Sequence, residues 1–176
     1  QSDAPVKLVW TREDDTQSGY FRPMYFHKLK AGLDSNGKII AWQHRIVGQS
    51  ILGKTAFSAF FENGVDFTSV EGATSLPYNI PHFAVDLHTV ESPVPVLWWR
   101  SVGSTHTAHS VETFMDQLAA ATGQDPLAFR LAHLGEDERY KGVLEMVADK
   151  AGWNTRQQDG KIKGIALHKS FGTYVA

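Results

Sequence analysis

Hydrophobic and polar positions alternate along two neighbouring runs of the chain, residues 24–33 and 38–48. The runs are joined by a segment ending in Asn36-Gly37, and Asn-Gly is the strongest short signal for a hairpin turn. The alternation therefore predicts a long antiparallel β-hairpin. We interpret its histidines and basic residues as members of a solvated face: His27, Lys28, Lys30, His44 and Arg45.

The second half of the chain changes to a helical period. After Gly103, apolar residues recur at i, i+3, i+4 spacing on one face, and Gly123 follows as a C-cap. A second helix is predicted from the N-cap Asp125 to about residue 134, and a third from Glu138 to about Lys150. The face of the first helix consists of Ala108, Val111, Met115, Leu118, Ala119 and Thr122.

The remaining segments carry shorter signals. Residues 6–10 and 162–170 are strand candidates, residues 11–15 form a polar turn that can start a helix, and residues 76–100 hold prolines typical of extended segments and loops. Phe57, Phe60 and Phe61 have helical spacing and predict a short helix packed on the sheet. Together these elements predict an α+β, two-layer fold with a mixed sheet, a long β-hairpin and helices packed on it. We treat residues 1–176 as one domain or as a fragment of a longer subunit.

Composition narrows the classes of function. The formal net charge is −2, from 17 basic and 19 acidic residues that are dispersed along the chain, so nucleic acid is not an expected partner. The chain has no cysteine, which excludes disulfides, thiolate metal sites and iron–sulfur ligation within it. No apolar stretch is long enough for a transmembrane helix, and no targeting segment is present, so the compartment (cytoplasm or periplasm) stays open.

The histidines near the start of the first helix suggest two kinds of site, a zinc site and a serine hydrolase site, and the sequence favours neither. His106 and His109 have the i, i+3 spacing that places two imidazoles on one helical face, but no further ligands complete a zinc site. We therefore interpret both as helix-surface histidines and predict no metal ligand in this chain. Ser104 lies close to His106 without the surrounding motif of a nucleophile elbow, so a hydrolase is rejected.

The most distinctive stretch is residues 96–105, where an apolar strand is expected to run through a glycine-bearing loop into a helix. The first N–H groups of a helix point back toward such a loop and can bind an anion or an oxo ligand. A strand, a turn and a helix in series are also an ordinary packing unit. The local pattern leaves both interpretations open.

The sequence of this loop and of the segments around it resembles that of a known family. Trp99-Arg100-Ser101-Val102-Gly103, followed by Glu112 and Asp116, is similar to a loop and helix in the molybdenum-binding large subunits of the xanthine dehydrogenase and aldehyde oxidase family. Within that family, the motifs most resemble those of the isoquinoline 1-oxidoreductase beta-subunit type. Further resemblances cover essentially the whole chain: Arg12-Glu13-Asp14, Arg22-Pro23, Tyr78-Asn79-Ile80-Pro81, Asp125-Pro126 and Gly164-Ile165-Ala166.

The resemblance implies a bacterial molybdenum hydroxylase that oxidises a small-molecule substrate with water as the oxygen source. Its cofactor is expected to be molybdopterin with molybdenum, as the cytosine dinucleotide, and its iron–sulfur clusters to lie on a partner subunit. In the family this loop offers a backbone N–H to the cofactor. Trp99, Arg100 and Gly103 are thus the expected cofactor-binding residues, with Arg100 acting through its amide.

The resemblance also suggests the substrate. Purine-oxidising members carry phenylalanines where this chain has Val102 and Leu167, and a hydroxyl residue where it has His168. These departures argue against a purine and for an aldehyde or an aromatic N-heterocycle. Val102, Leu167 and His168 are the expected substrate-binding residues, although a strand histidine is also an ordinary surface residue.

Two expectations concern what this chain lacks. The family's glutamine-bearing cofactor loop lies before the matched segment and its catalytic glutamate lies after it, so no catalytic residue is expected here and Glu112 and Glu145 are interpreted as structural. The isolated fragment is expected neither to turn over substrate nor to hold the pterin tightly. The alternative is a non-catalytic binding or subunit-docking module, with the aromatic region 57–67 as its interface.

Overall fold

A computed structural model gives the architecture of the protein and describes residues 3–61, 64–155 and 160–176. The predicted hairpin is confirmed: β1 (Tyr25–Leu33) pairs antiparallel with β2 (Ile39–Gly48). In its turn, the Asp34 carboxylate accepts hydrogen bonds from the backbone N–H groups of Asn36 and Lys38. A third strand, β3 (His82–Thr89), pairs parallel with β2, so the sheet is mixed, with the order β1-β2-β3.

The hairpin turn depends on Gly37, whose φ is 76°. A Cβ at this position would also lie 3.0 Å from Thr122 Cγ2 at the end of the long helix. We expect Gly37→Ala to lower the free energy of unfolding by about 1 kcal/mol or more, because alanine is strained at positive φ. Gly142→Ala is the matched control. Gly142 lies in a helix with open space around it, so alanine should raise stability by about 0.5–1 kcal/mol. Urea unfolding of both variants measures the contrast, and equal effects would contradict the turn assignment.

The described residues form four α-helices, of which the last three follow the predicted boundaries closely, whereas the first occupies the predicted polar turn at residues 11–15 and extends beyond it. They are α1 (Arg12–Ser18), α2 (Ser104–Ala121), α3 (Pro126–His133) and α4 (Glu138–Lys150). A reciprocal capping box between Thr11 and Asp14 starts α1, and the Asp125 carboxylate accepts the first amides of α3. Helices α1 and α3 therefore begin where a short polar side chain satisfies backbone donors that the helix itself leaves unpaired.

One core cluster lies between the three-stranded sheet and the helices, and a second lies among α3, α4 and residues 165–167, so the predicted α+β fold with helices packed on a mixed sheet is confirmed. Trp42 of β2, Met115 of α2 and Phe129 of α3 belong to one buried cluster, and Leu144 and Leu167 belong to a second. His133 joins the layers, because its Nε2 accepts the Ile39 N–H at 3.0 Å while its Nδ1–H donates to the Phe129 carbonyl at 2.7 Å.

The two strand candidates nearest the ends of the chain are wrong in whole or in part. Residues 6–10 form no strand, and Val6 and Leu8 are each 77% exposed, because no neighbouring segment of the described chain pairs with them. The run 162–170 is a strand only at β4 (His168–Ser170), which pairs with β5 (Thr173–Val175). These segments contain residues that favour strands, but for most of their length no neighbouring segment of the described chain pairs with them.

The aromatic stretch also differs from its prediction. Residues Ala56–Phe60 form a short 3₁₀ helix, and Phe57 is half exposed, with its ring edge-on to Trp98 rather than packed on the sheet. The side chain of Phe60 lies outside the described part of the chain. Before the loop at residue 99 there is no strand, only a single parallel bridge between Val96 and Phe21. Among the described residues, no helix is long and apolar enough to cross a membrane.

Candidate cofactor site at the start of helix α2

The backbone of the loop between Trp99 and Gly103 is strained. Ser101 and Val102 both have left-handed conformations, with φ of 68° and 42°. Such angles are unfavourable for any residue with a Cβ, and most of all for a β-branched one. The Val102 N–H donates to the Trp99 carbonyl at 2.8 Å and closes a tight turn. Strain of this kind persists only where surrounding contacts hold the backbone, and it is frequent at functional sites.

The turn leaves backbone donors available on an exposed surface. The N–H groups of Arg100 and Ser101 have no acceptor within the described part of the chain, and both residues are exposed. Trp99 beside them is 54% exposed, and its indole N–H donates to the Tyr20 carbonyl at 3.1 Å. Consecutive free amides next to a guanidinium suit an anionic or oxo ligand, so the donor set fits a molybdopterin cofactor.

Gly103 serves the loop in a different way. Its N–H donates to Glu71 Oε1 at 2.8 Å, and the Ser104 N–H donates to the same oxygen at 3.2 Å. A Cβ on Gly103 would lie 1.9 Å from the Thr68 carbonyl oxygen, so only glycine fits. The first amides of α2 are therefore satisfied within the chain, and a contact of Gly103 with cofactor stays a prediction.

Arg22 also contacts the loop. Its guanidinium donates to the Arg100 carbonyl at 3.0 Å and to Thr105 Oγ1 at 2.8 Å. Thr105 Oγ1 in turn donates to the same carbonyl at 3.0 Å. Neither Arg22 nor Glu71 stood out in the sequence as a partner of the loop, because they precede it by 78 and 32 residues, respectively.

The residues predicted to contact substrate are only partly brought together. Leu167 and His168 line a groove of about 430 Å³ along α2, which Val102 does not reach. Leu167 is 1% exposed and belongs to the second core cluster, whereas His168 is half-buried with an Nε2 atom that has no partner in the described residues. Gly72, next to Glu71, approaches the His168 ring closely, since a Cβ there would lie 2.6 Å from His168 Cε1. The substrate roles of all three residues stay predictions.

A buried ion pair holds the wall of that groove. Arg130 Nε donates to Glu112 Oε2 at 2.8 Å, and the Leu167 N–H donates to the same oxygen at 2.8 Å. Tyr78 OH donates to the other carboxylate oxygen, and Arg130 also reaches Asp116 at 2.7 Å. Burial raises the pKa of Glu112, while Arg130 opposes the rise. The geometry agrees with the structural interpretation of Glu112, because its carboxylate is fully engaged.

Three histidines form a row between the hairpin and α2 that sequence reasoning missed. His27 Nδ1 lies 2.8 Å from His44 Nε2, and His27 Nε2 lies 3.0 Å from His106 Nδ1. His44 is completely buried, and Tyr25 stacks on His106 with ring centroids 3.8 Å apart. The interpretation of His27 and His44 as solvated and of His106 as a surface residue is therefore wrong.

The burial of His44 could have been predicted from the alternation of buried and exposed positions along β2. His44 stands in phase with the buried residues Trp42 and Ile46, so the period of two places it on the inner face. Lys28, Lys30 and Arg45 are exposed, as predicted. The presence of histidine prompted a polar interpretation, whereas the His44 imidazole is buried with one ring nitrogen, Nε2, bonded to His27 and the other without a partner among the described residues.

Burial keeps the row neutral. It lowers the pKa of His44 to about 4, with a further lowering from His27, while Asp86 acts in the opposite direction. It lowers the pKa of His106 to about 3, with contributions from His27, His44 and Arg22. Both nitrogens of His27 are engaged with its neighbours, so the imidazoles form a line and do not converge. Among the described residues, no group of three or more His, Cys, Asp or Glu has the geometry to hold a metal ion.

Solved structures with the same architecture include two oxidoreductases. Quinoline 2-oxidoreductase from Pseudomonas putida 86 matches with a TM-score of 0.68 and 15% identity, over 83% of this chain and 20% of that one. The aldehyde oxidoreductase from Desulfovibrio gigas matches with a TM-score of 0.67 and 18% identity, over 82% of this chain and 17% of that one. At these identities the likeness concerns the fold alone.

Sequence comparison carries the assignment further. Residues 1–134 match the family of the molybdopterin cofactor-binding domain, and the chain belongs to that family. The beta chain of isoquinoline 1-oxidoreductase from Brevundimonas diminuta is 30% identical over 172 residues, 96% of this chain and 22% of that protein. A nicotinate dehydrogenase component from Pseudomonas putida is 27% identical over 175 residues, 93% of this chain and 14% of that protein. The chain thus spans roughly a fifth or less of these relatives.

Proposed function

We propose that this chain is part of a molybdopterin-dependent oxidoreductase that oxidises an aldehyde or an aromatic N-heterocycle with water as the oxygen source. The observation that carries the proposal is the strained loop with the free N–H groups of Arg100 and Ser101 beside the exposed Trp99. When bound, the molybdenum cofactor would supply the two-electron oxidation of the substrate. Membership of the cofactor-binding family supports this role for the loop.

In this proposal the chain's own residues bind and orient. The amide of Arg100 donates to the cofactor, and its guanidinium adds positive charge beside an anionic group. Trp99 covers one side of the site with apolar surface. Glu112, a buried carboxylate on the wall of the groove, is not expected to take a proton from the substrate, since it is engaged by Arg130, Tyr78 and the Leu167 amide.

The substrate class is proposed from the groove and from the relatives. Leu167 and His168 line the groove, Val102 lies outside it, and no Phe, Tyr or Trp of the described chain lines it, so the groove offers no aromatic clamp. The relatives named for isoquinoline and nicotinate, and the neighbours named for quinoline and aldehyde, support an aldehyde or N-heterocyclic substrate. We further propose that the cofactor is the cytosine dinucleotide form, that residues 1–176 belong to its binding region, and that iron–sulfur clusters are supplied by a partner subunit.

The deciding experiment is the molybdenum and pterin-nucleotide content of the longer protein, purified together with its iron–sulfur partner. We expect each near one per protein. Nucleotide analysis after release of the cofactor would identify the base. A well-folded, partner-bound protein without molybdenum would contradict the enzyme assignment.

That negative outcome would favour the alternative, a binding or docking module on the same fold. The observation that supports the alternative is the exposure of Phe57 and Phe67, at 48% and 53%, and of Trp98, which is 44% exposed and lies edge-on to Phe57. Loss of partner binding in a Phe67→Ser variant that remains folded would strengthen it.

His168 provides a test of the substrate site. Burial lowers the pKa of its imidazole, and its Nε2 atom is buried without a partner among the described residues. Because His168 also lines the groove, we propose that its ring turns toward the groove and donates from Nε2 to a ring nitrogen or carbonyl of the substrate. We expect His168→Ala to lower kcat/KM of the holoenzyme about 10-fold, the loss of one hydrogen bond to substrate. His82→Ala, an exposed strand histidine, is the control. Unchanged kcat/KM in His168→Ala would remove the proposed role.

A further inference from the structure

We propose that Glu71 and Arg22 are positioning residues that clamp the loop at its two ends and keep the amides of Arg100 and Ser101 directed away from the protein. The inference rests on the proposed function for its catalytic consequence. The clamp itself stands on hydrogen bonds within the described chain.

Glu71 accepts hydrogen bonds from the N–H groups of Gly103 and Ser104, which would otherwise compete with the amides of Arg100 and Ser101 for a ligand. Its Oε1 accepts from both Gly103 and Ser104, and its own backbone carbonyl accepts from Thr107 Oγ1 at 2.7 Å. Gly103 has no side chain that caps α2, so Glu71 provides the cap from a distant segment. The half-buried carboxylate thus fixes where the loop ends and the helix begins.

Arg22 fixes the other end. It contacts the Arg100 carbonyl and Thr105 together, so the peptide after Arg100 is held against the first turn of α2. Pro23, the next residue, is buried and restricts the backbone at Arg22. The Arg100 carbonyl is engaged by Arg22, and the amides of Arg100 and Ser101 have no acceptor among the residues that the structure describes.

The two contacts explain how the strain is maintained. Ser101 and Val102 lie between the segments held by Arg22 and by Glu71, and both have positive φ. If either contact were removed, the two residues would relax toward negative φ and redirect the neighbouring amides. A cofactor bound by these amides would then lose a donor that is already oriented before binding.

The test uses the full-length holoenzyme in four forms: wild type, Glu71→Ala, Glu71→Gln and Arg22→Met. Glutamine retains an oxygen acceptor and should preserve the cap, whereas alanine removes it. Glu145→Gln, on the exposed side of α4, is the control for loss of a carboxylate. Hydrogen exchange of peptides covering residues 99–104, molybdenum content, and kcat and KM are measured for each form.

We expect amide exchange at Gly103 and Ser104 to accelerate at least 10-fold in Glu71→Ala and to return toward wild type in Glu71→Gln. Arg22→Met should accelerate exchange in the same peptides. For Glu71→Ala, kcat should fall at least 5-fold or molybdenum content should drop. The melting temperature of the Glu71→Ala protein should stay close to that of the wild type. Unchanged exchange in both Glu71→Ala and Arg22→Met would overturn the clamp.

Failure of the two ideas is distinguishable. Accelerated exchange with unaltered kcat and molybdenum content would overturn the positioning role while leaving the enzyme assignment intact. Absence of molybdopterin from the wild-type protein would contradict the proposed function, and the exchange rates would still decide whether Glu71 and Arg22 hold the loop.

Discussion

Methionine in place of Arg130 is expected to lower the free energy of unfolding by about 3–5 kcal/mol, among the largest effects of any single substitution in this chain. The guanidinium is completely buried and pairs with Glu112, whose side chain is 6% exposed. Without Arg130 the Glu112 carboxylate stays buried with no opposite charge beside it, although Tyr78 and the Leu167 amide still donate to it. Urea unfolding followed by tryptophan fluorescence measures the loss.

The double variant Glu112→Gln with Arg130→Met separates charge from packing. Because it removes the uncompensated charge, we expect it to be about 1–2 kcal/mol more stable than Arg130→Met alone. Lys141→Met, an exposed residue of α4, serves as the surface control and should change stability by no more than about 0.5 kcal/mol. A double variant as unstable as the sum of its two single variants would argue against the coupled pair.

Acidification is expected to destabilise the fold through the histidine row. Unfolded histidines have a pKa near 6.5, whereas the pKa of folded His44 is about 4. Between these values the unfolded chain binds a proton that the folded chain does not, so stability is lost as pH falls from 6.5 toward 4. Each unit of difference corresponds to about 1.4 kcal/mol, which gives a loss on the order of 2–3 kcal/mol from His44.

The variant His44→Gln tests this origin. Glutamine keeps polar atoms in the row but does not titrate, so stability should vary less between pH 6.5 and 4.5 than in the wild type. Comparing the two proteins at each pH cancels the contributions of the carboxyl groups. His82→Gln is the control, because His82 is exposed on the adjacent strand β3. Parallel stability curves for wild type and His44→Gln would assign the acid sensitivity elsewhere.

The sequence predicted those elements whose signals are local. The Asn36-Gly37 turn fixed the hairpin, and Asp125 with Pro126 fixed the start of α3, because the residues that decide each boundary lie within a few positions of it. The strand at residues 6–10 failed for the opposite reason. Its β-branched and aromatic residues suit a sheet, but a strand requires a partner, which a single segment does not reveal.

In the candidate site, too, the residues of the local motif were predicted and their distant partners were not. The resemblance drew attention to Trp99, Arg100 and Gly103, yet the partners that shape their loop come from distant segments. Glu71 binds the start of α2 across 32 residues, and Arg22 reaches Arg100 across 78. The direction of a loop amide depends on such long-range contacts, so no local pattern indicated which amides stay free.

The bond between Glu112 and the Leu167 amide also bears on the order of folding. It closes a segment of 55 residues, whereas Glu112 and Arg130 are separated by only 18. Short closures cost less chain entropy and form earlier than long ones. We therefore expect α2 and α3 to associate first and the segment carrying Leu167 and His168 to dock onto them later. The groove would then form after the pairing of α2 with α3 and open more easily than that pairing, a property suited to a wall that admits a substrate.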